Sequence, residues 1–190
     1  MVGNIPNFTK IDVLRCFLRF NRKLGRQELA RELELGEGTV RTILEDLKSK
    51  KFLDSTKKGH FLSRIGRKII LQIGDSIIVP REITAKELYP NSKKIGVLVR
   101  NVLSLKELYR LRDIAVKNGA DGAIILKFEN GLYAPESDYE QSYEELEKNF
   151  DFKNNDVLII AFSGKRRYAE NGALAIAAEL NGTLKKFVEK

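Results

Sequence analysis

The fold is decided by the stretch from Gly38 to Leu47, which reads GTVRTILEDL. Its apolar residues recur at the i, i+3, i+4, i+7 spacing that places a single apolar stripe along one side of a helix. These apolar residues are Val40, Ile43, Leu44 and Leu47. The opposite side carries Thr39, Arg41, Thr42, Glu45 and Lys48. The stretch therefore predicts an amphipathic helix that buries one face and leaves a polar face for contacts.

A shorter helical pattern, QELAREL from Gln27 to Leu33, precedes this helix, and only residues 34–37 separate the two. Two short helices joined by a tight turn have the geometry of a helix-turn-helix. The small side chain of Ala30 suits the crossing point, because a bulky residue there would hold the helices apart. We expect the second helix of the pair to enter the major groove of DNA.

Two further patterns complete the N-terminal domain. An amphipathic helix is predicted between Phe8 and Asn21, with Thr9 as its N-cap. Beyond the helix pair, two short strand-like pieces flank the five-residue loop STKKG at 55–59, which indicates a hairpin. Its tip carries Lys57 and Lys58. A basic-tipped hairpin after three helices predicts a winged helix-turn-helix, whose wing would place both lysines near DNA phosphates.

The positive charge is concentrated in the same part of the chain. Residues 1–75 carry 16 Lys and Arg against 9 Asp and Glu, a net charge of +7, whereas residues 76–190 carry 18 against 17. A basic domain attracts polyanions through counterion release, whatever their sequence. The asymmetry therefore favours double-stranded DNA as a partner over a basic surface that is merely solvated.

These residues carry a resemblance to a known family. The run from Gln27 to Gly59 resembles the winged helix-turn-helix of bacterial and archaeal transcriptional regulators, and residues 62–67 resemble the helix entry that follows the wing there. The matching residues are Gln27, Leu29, Ala30, Leu33, Thr39, Val40, Arg41, Leu44, Leu47, Phe52, Leu53 and Gly59. Taken whole, the chain is similar to archaeal regulators that join such a domain to an α/β domain of unknown function. It departs from many of these motifs at Glu34, where they have glycine in the turn.

The expected DNA contacts follow from the geometry of a helix in the major groove. Thr39, Arg41 and Thr42 project from its first two turns, the part that reaches base edges. Arg41 can donate two hydrogen bonds to guanine O6 and N7, which is worth ~1–3 kcal/mol of discrimination. Arg26 and Gln27, at the start of the preceding helix, are expected at a phosphate. For any single basic residue, an exposed and freely solvated side chain remains the alternative.

The predicted recognition helix also carries two acidic residues, Glu45 and Asp46, in its second half. A carboxylate cannot lie against a phosphate backbone without electrostatic repulsion. We therefore expect this half of the helix to tilt out of the groove.

The second domain, residues 76–190, alternates apolar strands and helices. Strands are predicted at 77–79, 94–100, 121–128, 157–162 and 183–188, and helices at 104–118 and 168–180. Asn-Gly pairs at 118–119 and 181–182 mark the C-terminal stops of the two helices. Two strand-helix-strand runs predict an α/β domain with a mixed sheet built from two βαβ-like units. The fold class of the whole chain is therefore mixed α/β and α+β.

One turn of this domain has the character of an anion site. Ser163, Gly164, Lys165 and Arg166 join a buried strand to a helix, and the free N–H groups of helix N-termini favour anions. Asn101 ends the other long strand, so Asn101 and Ser163 would line one site if the carboxyl ends of the strands meet. The glycine and Gly-Lys-Ser/Thr order of a Walker A loop is missing. A small anionic effector is one interpretation, and an ordinary basic turn is the other.

Other functional classes lack their residue patterns. Carboxylates show no catalytic arrangement and the only histidine, His60, lies in the wing, so we expect no enzymatic activity. His60 and the single cysteine, Cys16, cannot supply the three or four ligands of a metal site, and no cofactor is predicted. No apolar run is long enough to span a bilayer and residues 1–6 show no secretory signal, so we expect a cytoplasmic protein with no membrane partner.

The sequence therefore predicts a sequence-specific, DNA-binding transcriptional regulator with domains at 1–75 and 76–190. One winged domain covers too little DNA for strong specificity, so we expect a homodimer on paired half-sites. Its dimer surface would be the helix from Arg64 to Leu71 or the sheet of the second domain. Three alternatives stay open: an enzyme of phosphorylated small molecules fused to a winged domain, a winged protein-interaction module, and an RNA binder. The last lacks the interleaved aromatic residues that stack unpaired bases.

Overall fold

The computed structural model describes residues 8–84, 89–135, 137 and 141–189. Its contacts divide the chain into two compact units, residues 1–72 together with 187–190, and residues 73–186. The division falls close to the 75/76 boundary taken from the sequence, and it assigns the last four residues to the first unit. The expected absence of a signal at residues 1–6 concerns a part of the chain that lies outside the described residues.

The first unit contains a winged helix-turn-helix. Its elements are α1 (Lys10–Phe17), α2 (Arg26–Leu33), α3 (Glu37–Ser49), β1 (Leu53–Thr56), β2 (Gly59–Leu62) and α4 (Arg64–Ser76), of which the end of α4 enters the second unit. The apolar stripe predicted for α3 is buried, since Val40, Ile43 and Leu47 are fully inaccessible to solvent. Leu14 and Phe17 of α1 and Leu29 and Leu33 of α2 are also buried, and both of these helices contact α3. The predicted elements of the N-terminal fold are therefore confirmed.

The first helix begins at a capping box. The Thr9 hydroxyl accepts from the Asp12 N–H at 3.2 Å, and the Asp12 carboxylate accepts from the Thr9 N–H at 3.0 Å. This reciprocal pair satisfies N–H groups that the helix start leaves without partners. Thr9 is the N-cap, as predicted.

The turn between α2 and α3 contains a left-handed residue, and in this chain that residue is Glu34 rather than glycine. Glu34 has a φ of 53° and lies in the left-handed region, where glycine is favoured. The Leu35 N–H donates to the Ala30 carbonyl at 3.0 Å across this turn, which satisfies an orphan carbonyl at the end of α2. Ala30 and Leu35 are both buried beside this turn. Glutamate in place of glycine therefore leaves the helix-turn-helix intact, with backbone strain at Glu34.

The strands of the wing are longer, and its loop shorter, than the sequence predicts. The strands pair antiparallel from Leu53↔Leu62 to Thr56↔Gly59, so only residues 57–58 form the loop. The predicted five-residue loop at 55–59 is therefore wrong. Gly59 has a φ of 122°, and a Cβ there would lie 2.7 Å from the Leu24 carbonyl oxygen. That close approach belongs to an isolated antiparallel bridge between Leu24 and His60, which joins Leu24 to the edge of β2.

The second unit is built around a five-stranded sheet. Its strands are β3 (Ile77–Glu82), β4 (Lys93–Val99), β5 (Gly122–Phe128), β6 (Leu132–Tyr133) and β7 (Val157–Ser163), in the order β3-β4-β7-β5-β6. Helices α5 (Leu108–Lys117) and α7 (Arg166–Leu180) pack on each other, and α7 packs on the central strands. An apolar cluster in this unit includes Leu98, Leu126 and Leu158 from the sheet, together with Leu146 of α6 (Glu144–Glu147) and Phe150.

The sheet is antiparallel between all its described strands, so the mixed sheet predicted from two βαβ-like units is wrong. β4 and β5 run in the same direction, as the first strand-helix-strand pattern requires, but β7 lies between them and pairs with both. This is the split β-α-β arrangement. The three long strands and the two long helices occur in the predicted order, but local periodicity carries no information about which strands are neighbours in the sheet.

The second βαβ-like unit has no final strand. Residues predicted as a strand at 183–188 belong to α8 (Gly182–Glu189), because Leu184 and Phe187 lie one helical turn apart and are both buried. The Asn181 side-chain oxygen accepts from the N–H groups of Thr183 and Leu184 at 3.0 and 3.1 Å. Asn181 therefore both ends α7 and caps the start of α8. The sheet position beside β4 is filled by β3, which precedes it in the chain.

Candidate nucleic-acid interface

The polar face of α3 lies on the surface of the first unit. Arg41 and Thr42 are exposed, as are Glu45 and Lys48 farther along the helix, while Thr39 is half-buried. The Arg41 side chain is 68% exposed and the Glu45 side chain 61%. The residues predicted to read bases therefore share one accessible face, opposite the stripe that is buried in the core.

Within this face, Arg41 has a defined partner. Its Nε lies 2.9 Å from Oε1 of Glu45, one helical turn away. The hydrogen bond and charge of Glu45 raise the pKa of Arg41, so the guanidinium stays charged at any pH relevant to binding. The pair occupies the Nε edge and leaves the four N–H donors of the two Nη groups for other acceptors. Thr42 is turned back onto its own helix, because its hydroxyl donates to the Gly38 carbonyl at 3.2 Å.

Of the three acidic residues of α3, the two in its second half are each paired with a cation four residues away along the chain. Besides the Arg41–Glu45 pair, Asp46 Oδ2 lies 2.6 Å from Lys50 Nζ. Both pairs have the i, i+4 spacing that brings side chains together on a helix. Part of the negative charge that would repel a phosphate is therefore balanced within α3 itself.

At the start of α2, Arg26 is engaged in an ion pair that the sequence does not predict. Arg26 is exposed, but its Nη2 lies 3.3 Å from Oε2 of Glu37, at the first position of α3. Gln27 is exposed beside it. The N-cap of α2 is Gly25, which has no side chain to satisfy the first N–H groups of the helix. The helix N-terminus therefore keeps donors available to an anion, while Arg26 also links α2 to α3.

The wing tip presents both predicted lysines. Lys57 and Lys58 are exposed, and no ion pair involves either of them within the described residues. The backbone N–H of Lys58 donates to the Thr56 hydroxyl at 3.2 Å, which closes the short loop. Two unneutralised cations at the end of a narrow hairpin suit contact with a phosphate backbone.

Sequence reasoning missed a third cation at the wing. Lys23 Nζ lies 3.5 Å from the Thr56 hydroxyl and 5.1 Å from the centre of the Phe61 ring. The adjacent bridge between Leu24 and His60 brings Lys23 beside β2. The available signal was the basic pair 22–23 immediately before an isolated apolar residue.

A groove of about 520 Å³ lies at the base of the wing. Its lining residues are Phe20, Asn21, Arg22, Lys23, Phe61, Leu62 and Arg67. Arg22 is neutralised there by Glu28 at 2.7 Å and Glu32 at 3.2 Å. The basic surface therefore continues from the wing tip to its base through Lys23 and Arg67.

The histidine and the cysteine of the first unit both have pKa values shifted by burial. Burial and the charge of Lys48 lower the pKa of His60, so its ring is neutral at neutral pH. Burial raises the pKa of Cys16 to about 12, which leaves the thiol protonated and unreactive. Across the described ranges, no group of three His, Cys, Asp or Glu residues is placed to hold a metal ion.

The predicted anion site in the second unit is divided by the antiparallel sheet. Ser163 pairs with Lys93 at one end of β4, and Val99 pairs with Val157 at the other end. Asn101, just beyond Val99, is therefore about 20 Å from Ser163. The prediction that they line one site is wrong, since carboxyl ends meet at one edge only in parallel strands.

Asn101 instead belongs to a structural cluster around Asp156, which is 1% exposed. The Asp156 carboxylate accepts from the backbone N–H groups of Asn101 and Lys153 at 3.2 and 2.9 Å. It also pairs with the Arg100 guanidinium. These contacts fix the end of β4 against the start of β7.

The turn from Ser163 to Arg166 leads into α7 as predicted, but it also contacts the carboxylate of Asp121. Ser163 is buried, and the Gly164 N–H donates to the Asp121 carboxylate at 3.1 Å. Lys165 lies 5.7 Å from the centre of the Tyr168 ring, and Arg166 is half-buried. The carboxylate of Asp121 would compete with a bound anion for that N–H group.

Two stretches of the chain match known protein families. Residues 10–68 match the family described as PH0730-like, N-terminal domain, and residues 90–180 match a domain of unknown function, DUF4443. A solved structure, hypothetical protein PH0730 from Pyrococcus horikoshii OT3, is 29% identical, with 95% of this chain and 100% of that chain covered at a TM-score of 0.79. The chain is thus similar to this protein in fold. No protein of curated function matches the chain.

A second solved structure, an IcIR transcriptional regulator from Alicyclobacillus acidocaldarius, is 9% identical over 94% of this chain and 96% of that chain. Its TM-score of 0.31 is too low to indicate a shared fold. Among the described residues, no helix is both long and apolar enough to cross a bilayer.

Proposed function

We propose that the protein is a sequence-specific, DNA-binding transcriptional regulator in which α3 reads bases in the major groove and the wing lies along the phosphate backbone. The observation that carries this proposal is the face of α3 centred on Arg41. Its apolar side is fully buried and its polar side is exposed, as a helix needs when it presents side chains to a base-pair edge.

The charge distribution supports duplex DNA as the partner. Residues 1–75 carry a net charge of +7, and the exposed Lys57 and Lys58 extend it to the end of the wing. Each phosphate neutralised by such a cation releases counterions and steepens the salt dependence of binding. The phosphate contacts would set the position of the domain, and the residues around Arg41 would supply the sequence preference.

We further propose a homodimer, with α4 as the more suitable of the two predicted surfaces. Leu71 is 69% and Ile65 48% exposed on α4, so this helix presents large apolar side chains to solvent. The edges of the second-unit sheet are poor templates for pairing. The β3 edge contains Pro80 and a shift of register between Ile78 and Arg81, and the β6 edge is two residues long.

For the second unit we propose a sensory or dimerising role without enzymatic activity. If it binds a small anionic effector, the turn at Lys165 and Arg166 is the proposed place, because α7 starts there without a side-chain cap and Lys165 is exposed beside it. An enzyme of phosphorylated small molecules is the alternative. Such an enzyme would show turnover that is lost on changing Lys165 and Arg166.

The deciding experiment is selection of bound fragments from genomic DNA with the full chain, followed by titration of a selected fragment at several salt concentrations. We expect enrichment of a shared motif, arranged as an inverted repeat, and an affinity that falls steeply with salt. A protein-interaction module would enrich no motif and would show no salt-dependent affinity for duplex DNA. Preference for single-stranded or structured RNA over the duplex would also contradict the proposal.

A further inference from the structure

The exposed face of α3 contains one acidic residue that touches the base-reading arginine. Glu45 Oε1 accepts from Nε of Arg41 at 2.9 Å, and both side chains are more than half exposed. The other acid of this half of the helix, Asp46, is half-buried and binds Lys50 instead. Of these two carboxylates, only that of Glu45 contacts the Arg41 guanidinium.

The geometry of this contact matters for base recognition. A guanidinium presents its donors in a rigid, planar fork, so fixing one edge fixes the direction of the others. With Nε held by Glu45, the two Nη groups remain for an acceptor pair, and guanine offers such a pair in O6 and N7. Without Glu45, the long Arg41 side chain would be free to swing to the nearest phosphate, which carries no sequence information.

We propose that Glu45 is a specificity-determining positioning residue, which holds Arg41 so that its Nη edge meets guanine and which repels phosphates that approach the same face. This inference rests on the proposed DNA-binding function. It predicts two opposite effects of one side chain: Glu45 strengthens the preference for guanine at the position read by Arg41, and it weakens binding to DNA that lacks that base.

The test measures dissociation constants of the full chain for a selected duplex and for the same duplex with one guanine replaced, at one fixed salt concentration. The replaced guanine is the one whose preference Arg41→Ala abolishes. For the unmodified chain we expect a guanine preference of roughly 5- to 150-fold. Glu45→Ala should reduce that preference at least threefold and tighten binding to random duplex. Glu45→Gln, which keeps an acceptor for Nε without the charge, should restore part of the preference.

Asp46→Asn is the matched control, because it also removes an acid from an i, i+4 pair on α3. We expect it to leave the guanine preference unchanged. A role of Glu45 in helix stability alone would lower the melting temperature of Glu45→Ala and lower its affinity for all duplexes by the same factor. Only a positioning role changes the ratio between the two duplexes.

The outcomes separate this inference from the function on which it rests. If Arg41→Ala abolishes the preference and both Glu45 variants keep it, the positioning role is wrong and the DNA-binding function stands. If the unmodified chain shows no salt-dependent duplex binding, both proposals fail. If Arg41→Ala keeps every base preference, Arg41 reads no base, so this inference fails while sequence-specific DNA binding stands. Should Glu45→Ala prevent folding, Glu45→Gln decides, and a preference equal to that of the unmodified chain overturns the inference.

Discussion

Arg15 and Asp12 form an ion pair, with 3.0 Å between Nη1 and Oδ1, in which both side chains are almost completely buried. The same Nη1 donates to the Leu33 carbonyl at the end of α2, at 3.3 Å. The pair therefore links the first helix to the helix-turn-helix, and the position of α2 depends on charges that lie inside the core.

Removing one partner of this pair should destabilise the first unit strongly. Asp12→Ala leaves the Arg15 charge buried without its carboxylate and also removes half of the capping box, so we expect a loss of about 3–5 kcal/mol in the free energy of unfolding. Urea denaturation followed by circular dichroism measures it. Replacing both residues by apolar ones, Asp12→Leu with Arg15→Met, should cost less than the single change. Equal or greater loss in the double variant would contradict this account.

The two kinds of DNA contact should respond differently to substitution. Arg41→Ala should weaken binding to the selected site more than binding to random duplex, because it removes a base contact worth ~1–3 kcal/mol. Competition titrations with both duplexes measure the ratio.

At the wing, Lys57→Ala should weaken binding to both duplexes about equally. It should also flatten the slope of log affinity against log salt by roughly 0.9, the contribution of one phosphate contact. If Lys57→Ala and Arg41→Ala behave alike, the assignment of backbone and base-reading roles is wrong.

The close approach at Gly59 makes a prediction about the wing itself. Gly59→Ala would place a Cβ 2.7 Å from the Leu24 carbonyl oxygen at a φ of 122°, so we expect a loss of at least about 1–3 kcal/mol in the free energy of unfolding. Gly74→Ala in α4 is the control, since a Cβ there meets nothing within 4 Å. It should stabilise the chain by about 0.5–1 kcal/mol, because alanine favours the helix. Loss of stability in the control alone would contradict the structure at both positions.

The first unit was predictable because its signals are local. The apolar stripe of α3, the short gap after Leu33 and the lysine-tipped hairpin each depend on neighbours in sequence. The contacts that the sequence did not reveal are those made at a distance. Glu37 captures Arg26 across the turn, and Lys23 reaches the wing only because Leu24 pairs with His60.

The second unit shows the same limit more clearly. Apolar runs correctly marked β4, β5 and β7, but a buried strand has the same periodicity whichever strand lies beside it. The position of β7 between β4 and β5 therefore could not be predicted from the sequence. The separation of Asn101 from Ser163 follows from that position, so it could not be predicted either. At 183–188 a strand is predicted, but Leu184 and Phe187 have the i, i+3 spacing of a helix, and the Asn181 side chain caps that helix.

The wing histidine should make the stability of the fold depend on pH. Burial and Lys48 on α3 lower the pKa of His60 in the folded chain, whereas in the unfolded chain it returns to about 6.5. The unfolded state then binds the proton more readily, so the contribution of His60 to stability is present above pH ~6.5 and is lost as the pH falls from there towards the folded pKa. Chemical denaturation of the unmodified chain and of His60→Gln at pH 7.5 and at pH 5.5 measures this contribution. Carboxylates titrate equally in both proteins, so the unmodified chain should lose more stability between the two pH values than the variant. Equal losses would show that His60 has the same pKa in the folded and unfolded chains.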